Sequence, residues 1–82
     1  MTLHAEISLY PLSTSDITQD IVSFLNHIES RGLTIEWGRM SSIASGESEL
    51  LFSAIREAFD QCCDTTKAVL CMKVSNAVPP AA

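Results

Sequence analysis

The apolar residues of this chain change their spacing twice in the same order, and that repeat constrains the fold more than any other feature. From Leu3 to Leu9 they occupy every second position. Leu3, Ala5, Ile7 and Leu9 point one way, and His4, Glu6, Ser8 and Tyr10 point the other, as in a strand with one apolar face. Pro11 is expected to end the strand, since proline donates nothing to a ladder. From Ile17 the spacing becomes helical, with Ile17, Ile21, Phe24, Leu25 and Ile28 on one stripe. Ser13 or Ser15 is expected to cap this helix, and Asp16 and Asp20 place negative charge near its positive end. Arg31 and Gly32 close it. Alternation then returns over Leu33 to Met40 through Leu33, Ile35 and Trp37, and Gly38 marks a bulge or a close approach.

The second half repeats the design. Ser41 to Ser45 reads as the return strand of a hairpin. Gly46 is expected to break the chain and Ser48 to cap a second helix built on Leu51, Ala54, Ile55, Ala58, Phe59 and Cys62. Asp64 to Thr66 reads as a loop. Lys67 to Ser75 is a last strand, with Ala68, Leu70, Met72 and Val74 alternating against Val69, Cys71, Lys73 and Ser75. The order is β-α-β-β-α-β. Right-handed crossovers then place both helices on one face of a four-stranded antiparallel sheet in the order 4-1-3-2, the ferredoxin-like α+β sandwich. At 82 residues the chain is expected to be one domain over 1–78, followed by a short tail over 79–82 that holds Pro80.

Charge and composition exclude several functions. Ten acidic residues against five basic ones give a net charge of −5, and no basic face forms for nucleic acid. No apolar run approaches the roughly 20 residues of a membrane span. No basic segment and long apolar run follow Met1, so the chain is read as cytoplasmic, with Cys62, Cys63 and Cys71 as reduced thiols. Cys62 and Cys63 are helical neighbours that point about 100° apart, so no metal site is expected there. His4 and His27 read as surface histidines. Ser8, Ser41 and Ser42 have no evident histidine partner, and three scattered glycines make no phosphate loop. No catalytic set and no cofactor are expected, and the chain is read as non-enzymatic.

Three segments bring hydroxyls, an amide and an aromatic ring to neighbouring strands. They are Ser8 to Leu12, Met40 to Glu47 and Val74 to Pro79. Such residues also gather at strand ends for backbone reasons alone, and both readings stay open at this point. In these segments the chain resembles the thiamine/hydroxymethylpyrimidine-binding (YkoF-like) family. Glu6-Ile7-Ser8-Leu9-Tyr10-Pro11-Leu12, Gly38-Arg39-Met40-Ser41-Ser42 with Gly46-Glu47, and Val74-Ser75-Asn76-Ala77 carry the resemblance. It departs at Val78, where some relatives hold a cysteine.

The resemblance implies a ferredoxin-like domain that binds thiamine or its hydroxymethylpyrimidine precursor and assembles as a homodimer or homotetramer. The chemistry is compatible. The Glu6 carboxylate can accept from an amino group, Ser8, Ser42 or the Asn76 amide can donate to ring nitrogens, and Tyr10 or Trp37 can stack. An acidic chain with an aromatic face also suits the thiazolium cation. Ser41, Ile43 and Ser75 complete the expected site, which is placed on the helix-free sheet face near the ends of strands one, three and four. A pocket between helices and sheet is the alternative, which the apolar stripes are expected to fill. Trp37 is expected either there or in the core or a subunit contact. The rival functions are an assembly or regulatory module whose open face serves only subunit contact, and an enzyme whose site is shared between subunits.

Overall fold

A computed structural model describes residues 1–78; the tail expected over 79–82 lies outside them. The elements are β1 (Thr2–Pro11), α1 (Ile17–Ser30), β2 (Thr34–Glu36), β3 (Ser42–Glu47), α2 (Ser48–Cys63) and β4 (Ala68–Ser75). They form one antiparallel sheet in the order β2-β3-β1-β4. This is the expected ferredoxin-like arrangement. Both helices pack on one face, where Leu3, Ala5, Ile7 and Leu9 of β1 meet Phe24, Leu25 and Ile28 of α1 and Leu51, Ala54, Ile55 and Ala58 of α2. Burial of these apolar side chains is the main force that closes the sandwich.

Several boundaries differ from the sequence reading. Pro11 does end β1, as its last residue and opposite Ala68, but the helix caps differ. Asp16, not Ser13 or Ser15, caps α1: its carboxylate accepts from the Gln19 N–H at 3.0 Å. Ser13 is tied elsewhere, its N–H donating to Thr66 Oγ1 at 3.1 Å. Glu47, not Ser48, caps α2, accepting from the Leu50 N–H at 3.1 Å. The Ser48 N–H is already committed to the Met1 carbonyl at 2.9 Å.

Gly46 does not break the chain. It pairs with Leu3 inside β3, and β3 passes into α2 without a loop. A Cβ built on Gly46 would lie 2.3 Å from Leu33 Cδ2, and Leu33 is buried. Gly46→Ala is therefore expected to overpack this corner and destabilise by about 1–3 kcal/mol, read as a lower urea midpoint at unchanged slope. An unchanged midpoint would mean that Leu33 yields freely.

The largest departure is β2. The expected strand from Leu33 to Met40 is only Thr34–Glu36. Leu33 and Ile35 turn towards the core as alternation requires, but Trp37 to Ser41 leave the sheet as a loop.

Candidate functional site

The early end of β2 and the late start of β3 create the site. β1 pairs with β4 along His4 to Pro11 but with β3 only along Thr2 to Ile7. Past Ile7 the sheet loses its neighbour on that side, and the loop from Trp37 to Ser41 swings outward. The first turns of α1 cross above. Between them lies a pocket of about 480 Å³. One wall is Ile7 to Leu12, another is Ile17, Thr18, Ile21, Val22, Phe24 and Leu25, and the third is Trp37 to Ser42. Loop shape depends on Gly38, where a Cβ would lie 2.0 Å from the Ser41 carbonyl oxygen. The Gly38 N–H donates to Ser42 Oγ at 3.3 Å and draws the loop back towards β3.

The pocket is apolar with a few polar groups at its walls, the usual composition of a small-molecule site. The hydroxyl-bearing residues Ser8, Tyr10, Thr18, Ser41 and Ser42 are among those that line it, with the Ser8 and Tyr10 side chains turned to the helix-free face by strand alternation. Among the described residues Arg39 is the one charged side chain that lines it, and no carboxylate does. An acidic chain thus has a pocket with no acid in its wall, so the field expected to favour a thiazolium cation does not come from the lining.

Of the residues expected at the site, Ser8, Tyr10, Trp37, Ser41 and Ser42 line this pocket. Trp37 is 47% exposed and belongs to the loop wall, not to the core. Glu6 stands just outside, accepting from Ser41 Oγ at 3.2 Å, with Lys73 Nζ at 3.9 Å from its other oxygen. Ile43 lies opposite Glu6 on the helix-free face. Ser75 pairs with His4, near the far end of β1, and Asn76 follows it, so neither is brought to the pocket. The helix stripe does not fill the space: Ile17 is 53% exposed and faces it with Ile21 and Val22. Sequence reasoning missed these three, together with Leu12 and Arg39. The available signal was a strand longer than its hairpin partner, beside a stripe that starts with an isoleucine.

Elsewhere, His4 Nδ1 and Ser45 Oγ are 2.7 Å apart on the open face. His27 and Arg31 at the end of α1 both meet Glu57 of α2, His27 Nε2 at 3.1 Å, and hold the helices together. The Arg31 guanidinium and then the His27 ring hold the Glu57 carboxyl below the usual glutamate range. A lowered folded value stabilises the fold above the ordinary carboxylate pKa, and that stabilisation is lost as pH falls through the lowered folded value. Glu57→Gln is therefore expected to flatten the fall in melting temperature as pH drops below the ordinary carboxylate range. An acid limb as steep as the parent's would assign that fall to other carboxylates. Burial, and next the Asp20 charge, push the Cys62 thiol up, which disfavours the reactive thiolate. Among the described residues no group of three His, Cys, Asp or Glu is placed to hold a metal ion, and no helix is long and apolar enough to cross a membrane.

Similarity to solved structures extends over most of the chain. A protein from Thermotoga maritima proposed to act in thiamine biosynthesis or salvage superposes with a TM-score of 0.82 at 18% identity, covering 94% of this chain and 85% of its own. A domain of unknown function from Bacillus cereus gives 0.80 at 19%, covering 94% and 77%. A protein from Streptococcus pneumoniae gives 0.84 at 15%, covering 95% and 89%. At such identities the likeness concerns the fold. No curated protein matches the sequence. The pattern that defines the YKOF-related family matches residues 2–81, and the chain belongs to that family.

Proposed function

We propose that this protein binds a small aromatic heterocycle of the pyrimidine type, thiamine or its hydroxymethylpyrimidine precursor, and performs no chemistry on it. The observation that carries this reading is the pocket itself. Its volume of about 480 Å³ falls in the range of small-ligand sites. Trp37 of the loop wall offers a ring face, and Thr18 and Ser42 bring hydroxyls to the pocket's lining. The relation of the Thermotoga maritima protein to thiamine supports the choice of ligand. Calorimetric titration of the purified chain with thiamine and with hydroxymethylpyrimidine tests it. Saturable heat without turnover is expected, whereas silence with both would favour the assembly module.

Trp37→Ala removes the aromatic side chain of the loop wall and is expected to weaken binding about tenfold, the equivalent of ~1.4 kcal/mol. Glu6→Gln leaves Ser41 with a weaker, uncharged acceptor and is expected to act in the same direction. If both variants fold and bind like the parent, the ligand sits elsewhere.

Self-association belongs to the same reading. The helix-free sheet face carries the exposed side chains of Tyr10 and Val69, with Ile43 farther along the sheet opposite Glu6. A homodimer or homotetramer is expected in sedimentation at micromolar concentration; a clean monomer there would count against it.

A further inference from the structure

The edge of β1 that borders the pocket has a hydrogen-bonding polarity fixed by its neighbours. The Ser48 N–H donates to the Met1 carbonyl at 2.9 Å, which extends the β1–β3 register by one step beyond Thr2–Glu47. Directly bonded pairs recur at every second residue of an antiparallel ladder. On this side they are therefore Leu3–Gly46, Ala5–Ala44 and Ile7–Ser42. On the other side the Leu12 N–H donates to the Lys67 carbonyl at 2.7 Å. The same step makes Tyr10–Val69 and Ser8–Cys71 the bonded pairs with β4. The two ladders agree. Odd residues of β1 turn their N–H and C=O towards β3, and even residues turn theirs towards β4.

The next odd residue after Ile7 is Leu9, and there the β3 ladder has already stopped. The position that would face it is Met40, which lies in the outward loop with 93% of its surface exposed. Leu9 is buried and lines the pocket. Its N–H and C=O thus form a donor and an acceptor side by side at the pocket wall, without a ladder partner among the described residues. Pro11, the odd residue beyond, adds a carbonyl and no N–H. A buried backbone amide demands a partner, so an occupant that pairs both groups is favoured over one that pairs neither.

We propose that the N–H and C=O of Leu9 are the recognition edge of the pocket, reading a planar ring that carries a nitrogen acceptor beside an exocyclic amino donor. An aminopyrimidine presents that pair on one edge. The N–H of Leu9 donates to the ring nitrogen, and its C=O accepts from the amino group. The ring that enters is uncharged, which suits a wall with Arg39 and no carboxylate; a cationic thiazolium stays towards solvent. This inference rests on the pyrimidine reading of the pocket.

Amide-resolved NMR of the isotope-labelled full chain tests it, using hydroxymethylpyrimidine and its analogue in which a carbonyl oxygen replaces the amino group. Hydroxymethylpyrimidine is expected to move the Leu9 amide proton downfield and slow its exchange with solvent. The oxo analogue reverses the donor and acceptor and is expected to bind at least tenfold more weakly. Saturable pyrimidine binding that leaves the Leu9 amide unmoved, or equal affinity for the two ligands, would overturn this inference and leave the pyrimidine reading intact. Absence of binding by either ligand would overturn both. Concentration-dependent protection of Leu9 in the free chain would assign the edge to a second copy, and would also overturn it.

Discussion

Replacing Leu51 by alanine is expected to lower the unfolding free energy by about 3–4 kcal/mol, the middle of the range for a buried leucine that leaves a cavity. Leu51 has no exposed surface and, with Ile28, is one of the two largest fully buried side chains. It lies on α2, whose buried face closes against α1 and against β1 and β3 of the sheet. Few alternative neighbours exist in a domain this small, so the cavity cannot relax by much. A loss of that size removes a large share of the roughly 5–15 kcal/mol that domains possess, and should lower the melting temperature by about 12–30 °C. The control is the adjacent Phe52→Ala. Phe52 is 46% exposed, and its removal leaves no enclosed void, so it should cost much less despite the greater volume lost. Urea unfolding of both variants decides the matter. Equal midpoints would show that the helix-sheet interface is not the centre of stability.

The two helices and the sheet order were legible because each depends on which face of an element is apolar, and periodicity reports that directly. Leu3, Ala5, Ile7 and Leu9 are all buried, as are Phe24, Leu25 and Ile28. Ladder length is a different kind of fact. Nothing in the alternation of Leu33, Ile35 and Trp37 says that pairing with β3 stops at Glu36; that follows from where the Gly38 turn brings the chain back. Cap identity was ambiguous for a similar reason. Serine is the commoner cap, and what identifies the cap here is the Glu47 carboxylate that accepts from the Leu50 N–H.

Half of the expected site could have been sorted by strand direction alone. In an antiparallel sheet the end of β4 meets the start of β1, so Ser75 pairs with His4, whereas the start of β3 meets the later half of β1, where Ser42 pairs with Ile7. Ser41 and Ser42 therefore join Ser8 and Tyr10, and Asn76 does not. The apolar helix wall was hidden because a helical stripe reads as core whether or not a strand lies beneath every residue of it.

Gly38→Ala is expected to weaken pyrimidine binding by about ten- to a hundredfold while the core of the domain persists. The new Cβ would lie 2.0 Å from the Ser41 carbonyl oxygen. That atom belongs to the backbone, so no side-chain rotation relieves the clash, and the loop itself must move. Trp37, Arg39, Met40 and Ser41 form one wall of the pocket, and they move with it. The Gly38 N–H bond to Ser42 Oγ is the loop's tie to β3 and is strained by the same displacement. A misplaced wall costs contact area and hydrogen-bond geometry together, about 1–3 kcal/mol, which corresponds to the stated range of affinity. The strand pairs from Thr2 to Ile7 and the packing of Leu51 lie away from the loop, so the stability loss should stay below that of Leu51→Ala. Calorimetry with hydroxymethylpyrimidine and urea unfolding on the same preparation read both quantities. Parent-like affinity in a folded Gly38→Ala chain would show that the loop is not a wall of the binding site, and would move the site off the gap between β1 and β3.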